Sequence, residues 1–81
     1  MGDTRQVIRR LLQQLLQKNH DTREFSDTDS LILSGRLQSL DVLEIVVFLE
    51  QRFGLDFSEG FDQSRLDSVE EIVNFLGSAV A

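Results

Sequence analysis

Ser39 is the residue whose position most clearly indicates a chemical role, because the surrounding pattern predicts that it opens a helix. A long polar connection precedes it, so we expect its hydroxyl to be exposed. Helix N-termini offer unpaired N–H groups and the positive end of the helix dipole, which accommodate a phosphate ester on that hydroxyl. The common alternative is an N-cap, in which the serine only accepts a backbone hydrogen bond.

Nucleophilic catalysis fits these residues poorly. A reactive serine needs a neighbouring histidine that is oriented by an acid, and the only histidine, His20, lies near the end of the first predicted helix. Cysteine is absent, which excludes disulfides, thiolate nucleophiles and Cys-based zinc sites. A chain of 81 residues also has little room for an enclosed catalytic pocket. We therefore predict that the chain is not an enzyme.

A calcium site is disfavoured by the loop sequence. Asp27 and Asp29 have suitable spacing, but Leu31 and Ile32 occupy positions that need an oxygen ligand and a glycine. The aspartates are better explained as turn residues, and we predict no metal site.

Helical spacing of apolar residues dominates the chain and predicts an all-α fold. The first helix is expected over residues 3–18, with Asp3 as its N-cap, and the last over residues 69–80, where Ser68 and Glu71 form a capping box. A further helix is predicted over residues 39–53, and a short irregular or single-turn helical segment around residues 61–66. We predict one domain over residues 1–81, a small four-helix bundle of three main helices and one short helix.

Residues 19–38 form the predicted long loop between the first two helices. Connections of this length in compact domains tend to be functional. We expect three apolar side chains to attach this loop to the core, namely Phe25, Leu31 and Leu33.

The second helix is too apolar for one buried face. A core stripe is predicted at Val42, Ile45, Val46, Leu49 and Phe53. A separate apolar strip is formed by Leu40, Leu43 and Val47 and is bordered by Glu44, Gln51 and Glu50. An apolar strip rimmed by acids is a candidate docking face. The alternative is that the long loop or the short third helix covers it.

Charge and hydropathy restrict the partners. The formal net charge is −6, although the first 20 residues carry four bases against one acid. That basic segment is the only support for DNA binding, and the second helix presents acids where a recognition helix needs bases. No apolar run approaches the ~20 residues that a bilayer requires. We expect a cytoplasmic monomer with no nucleic-acid or membrane partner.

Residues 35–54 read GRLQSLDVLEIVVFLEQRFG and resemble the central motif of acyl carrier proteins, in which a glycine-containing loop leads into Asp-Ser-Leu and a helix. Residues 55–57 and 66–76 look like the third-to-fourth helix region of that family, and residues 7–16 fit its first helix. The resemblance implies a four-helix bundle with a long first loop.

The resemblance also implies a function for Ser39. The matching serine receives 4′-phosphopantetheine from coenzyme A through a phosphopantetheinyl transferase, and the thiol of the arm holds an acyl or aminoacyl group as a thioester. The implied partners are that transferase, an acyl- or aminoacyl-loading ligase and downstream acyl-transferring enzymes of fatty acid, polyketide or nonribosomal peptide biosynthesis. The implied docking residues are Gln38, Leu40, Asp41, Leu43, Glu44, Val47 and Glu50.

Three departures from the family pattern qualify these expectations. Gln38 stands where the family usually has aspartate, which removes a charge beside the serine. Gln51 and Arg52 replace common acids, and the first helix is unusually basic. The alternative function is therefore an unmodified, carrier-like interaction module that has lost the attachment of the arm. The motif spelling most resembles free-standing carriers that serve adenylate-forming ligases.

Overall fold

The computed structural model describes the backbone of residues 3–80 and the side chains of residues 4–77. It contains three α-helices and one short 3-10 turn, in the order α1 (Asp3–Lys18), α2 (Ser39–Phe53), the 3-10 turn (Gln63–Leu66) and α3 (Val69–Val80). The all-α class is confirmed, with no strand in the described residues. The predicted cap at Asp3 lies outside the described side chains. No helix in this part of the chain combines the length and apolarity needed to span a bilayer.

The core forms where the apolar stripes of the three helices meet. Ile8 and Leu12 of α1, Ile45 and Leu49 of α2, and Ile72 of α3 are fully buried. The predicted core stripe of α2 is confirmed except at Phe53, which is only partly buried.

The residues predicted to end α2 and to begin α3 form the expected backbone contacts. Gly54 adopts the left-handed conformation that favours glycine and donates its N–H to the Glu50 carbonyl at 3.0 Å. The Ser68 hydroxyl accepts the Glu71 N–H at 3.1 Å.

The segment between α1 and α2 attaches to the core through Leu31 and Leu37, which are buried, and through the partly buried Phe25. The prediction for Leu33 is wrong, because its side chain is 68% exposed. The Asp67 carboxylate accepts the N–H groups of both Ile32 and Leu33, each at 2.8 Å. The backbone therefore turns immediately after Leu31, and this turn directs the Leu33 side chain to solvent.

The basic residues of α1 and the acids of the following segment form internal pairs. Asp27 binds Arg5 at 2.6 Å and Arg9 at 2.5 Å, and the Arg9 guanidinium also lies 4.6 Å from the centre of the Phe25 ring. Further along, Arg36 binds Asp21 at 2.9 Å. Hydrogen bonds from Arg23 and Arg36 hold the pKa of the Asp21 carboxyl far below its usual range. These contacts position the segment that leads to α2.

The Asp27 pairs predict a pH-dependent contribution to stability. Hydrogen bonds from Arg5 and then Arg9 lower the pKa of Asp27 in the folded protein. A lowered folded-state pKa stabilises the fold at pH values above the unfolded pKa, and this contribution is lost as the pH falls through the folded value. We expect Asp27→Asn to reduce the free energy of unfolding at pH 7 and the difference from wild type to shrink below about pH 5. Urea unfolding of both proteins between pH 7 and acidic pH measures this difference in the free energy of unfolding. A difference that grows on acidification would contradict a stabilising role for the Asp27 ion pairs.

Candidate functional site

Ser39 is the first residue of α2 and is exposed, as predicted. The N-cap position belongs to Gln38, whose backbone is extended with φ −100° and ψ 173°. No group among the described residues forms a hydrogen bond with the Ser39 hydroxyl. The serine therefore does not act as the helix cap, and its oxygen is open to an incoming group.

The N-terminus of α2 is held instead by Asp41, whose carboxylate turns back toward the residue before the helix. Its Oδ2 atom accepts the Gln38 N–H at 2.8 Å and the Asn19 side-chain amide at 2.6 Å. Asp41 is only 2% exposed. The expectation that Asp41 contacts partners is therefore corrected. Its carboxylate is buried and accepts hydrogen bonds that stabilise the start of α2.

Backbone donors remain at this helix terminus. The first intrahelical bond runs from the Val42 N–H to the Gln38 carbonyl at 3.1 Å. The N–H groups of Ser39 and Leu40 have no acceptor among the described residues, as expected in the first turn of a helix. Together with the positive end of the helix dipole, they suit a phosphate bonded to the Ser39 hydroxyl.

The apolar strip of α2 is uncovered. Leu40, Leu43 and Val47 are 71%, 55% and 48% exposed, so the alternative that the loop or the short 3-10 turn covers them is wrong. The three side chains line an open depression that begins beside Ser39, and Lys18 and Glu44 complete its wall. The described residues thus present a continuous apolar patch next to an exposed hydroxyl.

Glu44 borders the strip and is exposed, but it is not unpaired. The Lys18 ammonium donates a hydrogen bond to its carboxylate, and this bond raises the pKa of Lys18. Lys18 is not among the residues predicted for this face. Twenty-five residues separate it from Glu44, and no helical spacing links the two.

Glu50 occupies the far end of the same side of α2. It is partly buried, and its Oε2 atom accepts the Phe57 N–H at 3.1 Å. One carboxylate oxygen of this predicted docking acid therefore anchors the segment that leaves α2. The exposed members of the predicted docking set are Gln38, Leu40, Leu43, Glu44 and Val47.

The acids considered for calcium have structural partners. Asp27 binds two arginines of α1, and Asp29 accepts the Ser26 N–H at 2.8 Å. Within residues 4–77, no group of three or more potential ligands is arranged to hold a metal ion.

Comparison with known proteins identifies the family. A family model described as "Phosphopantetheine attachment site" matches residues 6–76, which extend from α1 into α3 and include Ser39. The chain belongs to the phosphopantetheine attachment site family. This membership agrees with the resemblance to acyl carrier proteins. No curated protein and no solved structure gives a significant match.

Members of the phosphopantetheine attachment site family carry a covalently attached 4′-phosphopantetheine prosthetic group. They are typically non-catalytic carriers that interact with phosphopantetheinyl transferases and biosynthetic enzymes. The residues at the start of α2 fit this group, because a primary hydroxyl and two backbone donors lie together at an exposed helix terminus.

Proposed function

We propose that Ser39 carries 4′-phosphopantetheine and that the protein delivers acyl or aminoacyl groups between partner enzymes. The observation that carries this proposal is the exposed, unbonded Ser39 hydroxyl at the start of α2 in a chain of this family. We also propose that the fold is a four-helix carrier bundle, in which Gln63–Leu66 serves as the short helix and residues 19–38 form the long loop.

In the attachment reaction, the Ser39 oxygen would form a bond to the β-phosphorus of coenzyme A while the phosphoanhydride bond breaks. Adenosine 3′,5′-bisphosphate would leave, and the serine proton would pass to a base of the transferase. The chain would contribute the hydroxyl and the Ser39 and Leu40 N–H groups, which compensate the phosphate charge. The attached group supplies a thiol for thioester chemistry, which a chain without cysteine lacks.

The docking surface in this proposal consists of Gln38, Leu40, Leu43, Glu44 and Val47, all of them exposed. Phosphopantetheinyl transferase, the loading ligase and downstream acyl-transferring enzymes would bind it in turn. A small apolar centre with a charged border supports fast encounter and rapid release, because charge steers approach while limited apolar area restricts affinity. These are the properties that a carrier visiting several enzymes requires.

The proposed attachment is tested by incubating the protein with coenzyme A and a broad-specificity phosphopantetheinyl transferase. Intact mass spectrometry should show a gain of one phosphopantetheinyl group. No gain for wild type together with a gain for Gln38→Asp would favour the alternative, an interaction module that lost its modification through Gln38. No gain for either protein would count against Ser39 as an attachment residue.

The docking surface predicts that Leu43→Ala combined with Val47→Ala weakens transferase binding. We expect the KM for the carrier to rise by about 5- to 10-fold, because a few residues near the centre of an interface carry most of its binding energy. Both side chains are about half exposed, so stability should change little. Steady-state kinetics at saturating coenzyme A measures the effect.

Leu33→Ala is the matched control for the double variant. Leu33 is also an exposed apolar residue, at 68%, but lies outside α2. A similar rise in KM for Leu33→Ala, or none for the double variant, would reject this face as the docking surface.

A further inference from the structure

The position of Lys18 is fixed by contacts at the end of α1. The next residue, Asn19, binds the buried Asp41 carboxylate at 2.6 Å and thereby ties α1 to the start of α2. The Lys18 ammonium lies 3.9 Å from Asp41 Oδ1 and forms a hydrogen bond with Glu44. Lys18 is therefore part of the surface that surrounds Leu40, Leu43 and Val47.

This arrangement leaves the proposed docking surface with few exposed and unpaired carboxylates. Asp41 is buried and Glu50 is partly buried and bonded to backbone. Glu44 is the remaining exposed acid beside the apolar strip, and the Lys18 ammonium pairs with it. One positive charge therefore offsets the exposed Glu44 carboxylate in the unbound protein, although the whole chain carries a net charge of −6.

We propose that Lys18 is a specificity-determining residue that masks Glu44 and thereby weakens docking to partners with a cationic binding patch. The inference deepens the proposed function and rests on it, since it concerns the same surface. A cationic partner must displace the Lys18 ammonium before it can pair with Glu44. A partner that places a carboxylate opposite Lys18 meets no such competition.

The expected effect is modest because both partners are exposed, with side-chain exposures of 54% for Lys18 and 50% for Glu44. Exposed ion pairs of this kind change an equilibrium by about 1.5- to 5-fold. Removal of the lysine charge should therefore tighten binding to a cationic partner by a factor in this range. The gain should decrease with added salt, since exposed charges are screened.

The experiment measures the Kd of the full chain for a broad-specificity transferase with a basic docking patch, by calorimetry without coenzyme A. Lys18→Met is expected to bind about 1.5- to 5-fold more tightly than wild type, and Lys18→Arg should resemble wild type. Arg65→Met is the matched control, because it also removes one exposed positive charge but lies far along the chain in the 3-10 turn. In a Glu44→Gln background, Lys18→Met should no longer tighten binding.

Four results would overturn the masking role of Lys18. The first two are unchanged or weaker binding by Lys18→Met and an equal gain in affinity for Arg65→Met. The others are a gain in affinity that survives in the Glu44→Gln background and an absence of binding by any variant. The mass gain at Ser39, measured separately with coenzyme A, tests the proposed function independently of these affinities. Thermal unfolding of the same variants shows whether any change in Kd reflects a change in folding.

Discussion

Replacing Ser39 by alanine is expected to abolish phosphopantetheinylation completely. Alanine lacks the oxygen to which the phosphorus would be bonded, so no residual reaction at this position is possible. The substitution should leave the fold unchanged, because the Ser39 hydroxyl makes no hydrogen bond within the described residues and Gln38 occupies the N-cap position. We expect the free energy of unfolding of Ser39→Ala to lie within about 0.5 kcal/mol of the wild-type value, as is usual for substitutions at exposed positions.

Intact mass after incubation with coenzyme A and transferase measures this result. Ser58→Ala is the matched control, since Ser58 is also an exposed serine but lies outside the helices. Ser58→Ala should gain the full phosphopantetheinyl mass. A mass gain that persists in Ser39→Ala would place the attachment on a different residue and reject the proposed site.

Asp41→Ala should produce the largest loss of stability among the variants of this site. The carboxylate is buried and accepts two hydrogen bonds, from the Gln38 N–H and the Asn19 amide. Hydrogen bonds to charged groups contribute about 1.5–3 kcal/mol each, and alanine leaves both donors without an acceptor. Because both hydrogen bonds are only partly buried, water can replace part of their energy, and we expect the free energy of unfolding to fall by about 2–4 kcal/mol rather than by the full sum. That is a substantial part of the roughly 5–15 kcal/mol by which native proteins are stable.

Urea unfolding at pH 7 measures the loss, with Glu44→Ala as the matched control on the same helix. Glu44 is exposed and makes one surface ion pair, so its removal should cost no more than about 1 kcal/mol. Asp41→Asn should fall between them because the amide keeps one acceptor oxygen. Unchanged stability in Asp41→Ala together with weaker transferase binding would restore Asp41 to the docking surface.

Local sequence signals determined the elements of this fold. The bounds of all three α-helices agree with the prediction, because apolar spacing, Gly54 and Ser68 act within a few residues of the helix they shape. Only the short element differs, since its 3-10 turn begins at Gln63 rather than at residue 61. The exposed position of Ser39 was predictable for the same reason, as a polar segment followed directly by a helix start leaves the first residue accessible.

The electrostatic character of the site was decided by the tertiary structure alone. The sequence shows Asp41, Glu44 and Glu50 as equivalent acids on one helix, yet the fold buries the first, pairs the second with Lys18 and bonds the third to the Phe57 backbone. Burial and pairing depend on which residues of other segments approach a side chain. Helical periodicity carries no information on such approaches, because it describes only the angle around a single helix axis.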